Sequence, residues 1–157
     1  MILVEPKIAA NTGSIGRTCV AVGATLWLVR PMGFHLDDRH LRRAGLDYWV
    51  HLDLRVVDSL AEAELAVGPD RLWSFSTKAT KSYTDVVFSS GDALVFGSET
   101  RGLPRHWLSD RPDRVLRIPI RQEARSLNLA NAVAIAAFEA VRQIGNAMAL
   151  TEHSHRS

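Results

Sequence analysis

Strands and helices alternate along almost the whole chain, and that order predicts an α/β fold: a mostly parallel sheet flanked by helices. Two further observations support it. Short apolar runs, of the kind that form buried strands, recur along the chain, and those at 1–4, 25–29 and 93–96 are followed within two residues by Gly or Pro. The 157 residues show no internal repeat, no linker and no break in composition, so residues 1–150 read as a single domain. Residues 151–157 have nothing to pack and read as a disordered tail.

Residues 1–4 form an apolar run that stops before Pro6 and read as the first strand. Asn11 precedes a helical pattern with Ile15, Cys19 and Val22 on one face; Asn suits the N-cap and Gly23 the stop. Residues 25–29 are β-branched and apolar, a second strand. Asp37 or Asp38 can cap a short basic helix through Arg43, ended by Gly45. Residues 48–54 alternate like a strand, and 59–67 read as a helix closed by Gly68-Pro69. Residues 72–75 and 93–96 are strands, the second opening into a loop over 97–104. Residues 115–120 read as a strand broken by Pro119, and an Ala-rich helix runs over 128–144.

Composition bounds the function. Hydrophobic residues make up 46% and charged residues 23%, as in an ordinary globular protein. The net charge of +2 and a pI near 9.0, carried mainly by arginine, suit a polyanionic partner and equally a solvated basic surface. Cys19 is the lone cysteine and lies in an apolar stretch, so it reads as a buried thiol in a reducing, cytoplasmic setting. No apolar run is long enough to span a bilayer, and the first residues lack a basic leader. The histidines have no metal-site spacing, Gly-x-Ser-x-Gly is absent, and the four tryptophans lie in or beside apolar stretches that suit packing.

In parallel sheets ligands bind beyond the carboxyl ends of the strands, so chemistry is sought in the loops that follow them. Three segments qualify. Asn11-Thr12-Gly13-Ser14-Ile15-Gly16-Arg17 is a Gly-rich strand-to-helix turn that could present N–H groups to phosphate, but it lacks dinucleotide spacing. Alone it fits a capped helix with a surface Arg equally well. Gly97-Ser98-Glu99-Thr100-Arg101-Gly102-Leu103-Pro104 carries two glycines after a buried strand, but Leu103 and Pro104 stand where a triphosphate loop needs Lys and Ser/Thr. A plain turn before a Pro-initiated helix would look the same. Ile118-Pro119-Ile120 followed by Ser126-Leu127-Asn128-Leu129-Ala130-Asn131-Ala132 leads into the Ala-rich helix. It also fits a simple N-cap.

In this order and at these separations the three segments resemble the three motifs of the SpoU–TrmD (SPOUT) methyltransferase superfamily. The nearest likeness is to the short tRNA (cytidine/uridine-34) 2′-O-methyltransferases of the TrmL type. Further matches are Pro31-Met32-Gly33-Phe34, Leu41-Arg42-Arg43-Ala44-Gly45-Leu46-Asp47-Tyr48 and Thr77-Lys78, so that the likeness covers residues 4–145.

The resemblance implies a C-terminal trefoil knot holding S-adenosylmethionine, with S-adenosylhomocysteine as product. It places Phe75, Gly97, Gly102, Ile118, Ile120, Ser126 and Leu127 against the cofactor. It implies a homodimer with each active site at the subunit interface, the last helix being plausible interface material. The reaction implied is methylation of the ribose 2′-hydroxyl of the wobble nucleotide in the tRNA anticodon loop, with no metal. Its polar positions fall on Arg17, Asn11, Glu99, Ser126 and Asn128, with Asn11 orienting the hydroxyl or Arg17, and Glu99 pairing with or orienting Arg17. Arg17 takes the activating role; since guanidinium is not deprotonated in proteins, that role is read as electrostatic.

The first motif starts close to Met1 and the chain ends soon after the third, so an appended RNA-binding domain is not expected. Arg39, Arg42, Arg43, Lys78 and Lys81 are the candidate phosphate contacts instead. Two positions depart from close relatives: Ser98 stands where Pro is common, and Phe138 where Tyr is common. The rival readings are a related methyltransferase acting on another tRNA position or on rRNA, and a non-catalytic RNA-binding or assembly protein that kept the knot.

Overall fold

The computed structural model describes residues 1–36 and 48–145. Among them seven strands form one sheet: β1 (Ile2–Val4), β2 (Leu26–Val29), β3 (Leu54–Val57), β4 (Leu72–Phe75), β5 (Lys81–Ser82), β6 (Ala93–Phe96) and β7 (Val115–Arg117). Their order is β3-β2-β1-β6-β4-β7-β5, and every pairing is parallel. Among the described residues the α-helices are α1 (Ala9–Val22), α2 (Leu60–Val67), α3 (Arg105–Ser109) and α4 (Leu129–Ile144).

The strands are apolar on both sides because both sides are covered. Leu3, Leu26, Leu28, Phe75, Leu94 and Phe96 join Ile15 and Cys19 of α1 and Val133 and Ala136 of α4 in one core. The alternate positions, Ile2, Val4, Trp27, Val29, Leu72 and Val95, join Ala63 of α2 and Trp107 of α3 in the other. Burial raises the Cys19 thiol pKa to about 11, in keeping with a packing role. Trp107 Nε1 donates to Ser74 Oγ at 2.9 Å, tying α3 to β4.

Most expected elements are present within a residue or two: β1, β2, α2, β4, β6 and α4 stand where the pattern puts them. Gly23 closes α1 in the left-handed conformation (φ 68°), and Ser59 caps α2 by accepting from Glu62 N. The expected strand over 115–120 is shorter, ending at Arg117 before Pro119.

Two expectations are corrected. Asn11 is not an N-cap: α1 starts at Ala9, so Asn11, Gly13 and Gly16 lie inside the helix and form no phosphate-binding turn. Residues 48–54 are not a strand either; Trp49–His51 is a 3₁₀ turn, closed by His51 N donating to Tyr48 O, and pairing begins at Leu54. The alternation there reflects docking, with Trp49 and Leu52 turned onto Gly16 of α1. β5 carries no hydropathy signal, being Lys-Ser on the sheet edge. The expected helix through Arg43 and the tail over 151–157 lie outside the described residues.

Candidate functional site

A cavity of about 780 Å³ opens at the carboxyl ends of β4 and β6, where a doubly covered parallel sheet is expected to bind its ligand. Its walls come from the loops after those strands, from residues 126–128 and from Ile8 and Asn11 at the start of α1. A smaller recess of about 100 Å³ continues it between Phe75, Phe96, Ile118, Ile120 and Leu127. The Phe75 and Phe96 rings stack nearly parallel, 4.6 Å between centroids, and give this end an aromatic floor.

The loop after β6 has one permitted shape. Gly102 N donates to Ser98 O at 2.9 Å, and Arg101 N to Ser98 Oγ at 3.3 Å, folding the loop back on itself. A Cβ on Gly97 would stand 1.9 Å from the Gly102 carbonyl carbon and 2.2 Å from Leu103 N, so only glycine closes it. Ser98 thus contributes hydroxyl and carbonyl to the turn.

The three sequence segments meet at the cavity mouth. Glu99 accepts from Lys7 N at 2.8 Å and Ile8 N at 3.2 Å, fixing the chain as it enters α1. Its carboxylate also accepts from Asn11 Nδ2 at 3.0 Å. Asn11 Oδ1 in turn accepts from Asn128 Nδ2 at 3.0 Å. Asn128 caps α4, its Oδ1 accepting from Ala130 N and Asn131 N. These roles fix both amides. The Asn128 oxygen must face the backbone donors, so its nitrogen faces Asn11, whose own nitrogen must then face the carboxylate.

The expected cofactor residues Phe75, Gly97, Gly102, Ile118, Ile120, Ser126 and Leu127 all line the cavity or its recess, as do Asn11, Glu99, Asn128 and Lys78. Arg17 does not: it lies about 9 Å further along the α1 axis than Asn11, with its guanidinium 4.9 Å from the centre of the Tyr48 ring. Glu99 accepts its hydrogen bonds from the start of α1 rather than from Arg17. Lys81 lies on the edge strand β5. Arg39, Arg42 and Arg43 fall outside the described residues. Two cavity cations were not singled out by the sequence reading, Arg101 and Arg105. Arg101 stands inside the very loop that drew attention through its glycines.

The walls fit S-adenosylmethionine in size and kind: a ligand-sized space, an apolar recess for a flat ring, and a wall that includes Gly97 and Gly102, which carry no side chain. Among the described residues no three His, Cys, Asp or Glu side chains cluster as metal ligands, and no helix there is long and apolar enough to cross a membrane.

Residues 1–138 match the SpoU rRNA Methylase family. A tRNA (cytidine(34)-2′-O)-methyltransferase of Burkholderia cenocepacia is 46% identical over 149 residues, which cover 92% of this chain and 95% of that protein. A solved structure concerned with 2-OH methylation of C/U34 on tRNA superposes with a TM-score of 0.87 at 45% identity, covering 92% of this chain and 95% of its own. The SpoU methyltransferase AviRb of Streptomyces viridochromogenes, solved with the cofactor AdoMet, superposes at 0.76 with 27% identity, covering 90% of this chain and 56% of its own.

Proposed function

Because the chain belongs to the SpoU rRNA methylase family, we propose that it transfers a methyl group from S-adenosylmethionine to the ribose 2′-hydroxyl of the wobble nucleotide, cytidine or uridine 34, in the tRNA anticodon loop. One observation carries this reading beyond likeness. The hydrogen-bonded chain Glu99–Asn11–Asn128 joins three segments far apart in sequence at the mouth of a cofactor-sized cavity.

The cofactor supplies a methyl group on a positively charged sulfur, which leaves readily. Phe75, Ile118, Ile120 and Leu127 would hold the adenine side, with Gly97, Gly102 and Ser126 presenting loop backbone to it. Transfer forms the ribose O–CH₃ bond as the S–CH₃ bond breaks; S-adenosylhomocysteine is the product and the hydroxyl proton leaves to phosphate or water. The chain's part is alignment and charge stabilisation. Arg17 keeps its proton and stabilises negative charge developing on the ribose oxygen. Asn11, held from both sides, orients the hydroxyl, while Glu99 and Asn128 hold Asn11. Lys78, with Arg101 and Arg105 on the same wall, and Lys81 nearby contact RNA phosphates. Arg39, Arg42 and Arg43 are assigned the same task.

Two broader features belong to this reading. After β7 the chain recrosses the end of β4 to reach α4, which lies against α1 and β6; this path supports a trefoil knot as the cofactor cradle within a single domain. Arg17 lies away from the cavity of its own chain, and Ile135 and Phe138 are exposed on α4, at 39% and 47%; both support a homodimer. The likeness to tRNA-modifying enzymes and the buried free thiol of Cys19 suit a protein that works in the cytoplasm.

The test is methyl transfer from labelled S-adenosylmethionine to total tRNA from a strain lacking this protein, with the labelled nucleotide mapped. Label is expected on the ribose at position 34, with Arg17→Ala slowing turnover by about 100-fold or more while cofactor affinity changes little. Label on rRNA instead would move the substrate; no label on either would overturn the reading.

A further inference from the structure

Arg17 is seated on an aromatic side chain that the reaction scheme above does not use. Tyr48 starts the 3₁₀ turn beside α1, and its hydroxyl donates to Gly13 O at 2.6 Å. The Arg17 guanidinium carbon lies 4.9 Å from the centre of its ring, within the range of a cation–π contact. The next residue, Trp49, meets the Tyr48 ring edge-on at 6.4 Å between centroids. Trp49 also lies so close to Gly16 that a Cβ there would be 2.9 Å from its ring, with Leu52 at 3.2 Å.

Gly13, Gly16 and Arg17 are spaced i, i+3, i+4 and so share one face of α1. The two glycines leave that face bare, the turn settles on it, and the Tyr48 ring comes under the guanidinium. Glycine disfavours a helix interior, and docking of the turn accounts for it at Gly16, where a side chain would meet Trp49 and Leu52. Arginine otherwise has many rotamers, and a ring fixed to the same helix through Gly13 narrows them.

We propose that Tyr48 is the positioning residue of Arg17: its ring, anchored by its hydroxyl to α1, presents the guanidinium toward the reacting ribose. The proposal rests on the reading in which Arg17 stabilises the methyl-transfer transition state.

Single-turnover methyl transfer to tRNA, with cofactor affinity and thermal unfolding measured on the same dimeric preparations, tests it. Tyr48→Phe keeps the ring but loses its hydroxyl anchor, and its rate should fall between those of wild type and Tyr48→Leu. Tyr48→Leu, or Tyr48→Met should the first not fold, loses the aromatic face; the transfer rate should drop about 10- to 100-fold, with cofactor affinity held and the protein still folded at the assay temperature. The deciding measurement is the double variant. If Tyr48 acts through Arg17, Arg17→Ala/Tyr48→Leu is no slower than Arg17→Ala alone. The same fractional loss from Tyr48→Leu with and without Arg17 would overturn the proposal, as would a normal rate for Tyr48→Leu beside a slow Arg17→Ala. A normal rate for Arg17→Ala would overturn both this proposal and the role given to Arg17.

Discussion

Asn11 has each end of its amide committed, the nitrogen to Glu99 and the oxygen to Asn128, and it is only 9% exposed. Replacing it by Asp keeps the acceptor but sets a second carboxylate where the nitrogen now donates at 3.0 Å. Two facing carboxylates hold a proton more tightly in the folded state than in the unfolded one. The variant's stability is therefore greatest below the ordinary carboxylate range and falls as pH rises through it. Asn11→Asp should lose about 1–3 kcal/mol in urea unfolding at pH 7, and the deficit should shrink near pH 4. A deficit that ignores pH would show that Glu99 does not face position 11. The residue itself was legible as a site candidate through its motif. Its partners were not, because they are set by packing between segments with no local sequence signature.

At the scale of elements, signals succeeded where the cause is local. Ser59 and Asn128 cap the helices they precede because each accepts from backbone N–H groups two or three positions on. The start of α1 misled because its fixing group, Glu99, comes from a distant loop, and residues 48–54 misled because an apolar alternation was met by docking on α1. Within α4 a further tie is testable. Glu139 accepts from Arg142 and Gln143, and Gln143 accepts from Phe88 N at 2.8 Å, joining the helix to the loop before β6. The Arg142 hydrogen bonds, and then that from Gln143, hold the Glu139 carboxyl down to about 2. A depressed folded pKa means stabilisation present above the unfolded value and lost as pH falls through the folded one. Wild type should therefore melt above Glu139→Gln at pH 6, and the difference should close between pH 4.5 and about 2. A difference constant across that window would show that the ionised form is not what the helix uses.

For the whole molecule, strand alternation conveyed the parallel sheet and its two covered faces, while the order β6-β4-β7 at the cavity end followed from no periodicity. The proposed knot there was suggested only by the family resemblance, since threading would leave no mark on hydropathy. The same scale decides how Arg17 could act. Asn11 lines the cavity and Arg17 does not, although one helix carries both. In the proposed homodimer each cavity therefore takes its arginine from the other subunit. That arrangement predicts complementation. Arg17→Ala leaves its own cavity intact, and Ser126→Trp, an exposed position on the cavity wall, blocks the cavity while leaving Arg17 in place. Each homodimer should be inactive. Co-expressed in equal amounts, half of the dimers are mixed, and each mixed dimer holds one site with an open cavity and an arginine. Turnover should return to about a quarter of the wild-type rate. If instead Arg17 serves the cavity of its own chain, every site in the mixture carries one defect or the other, and activity stays at the level of the two parents.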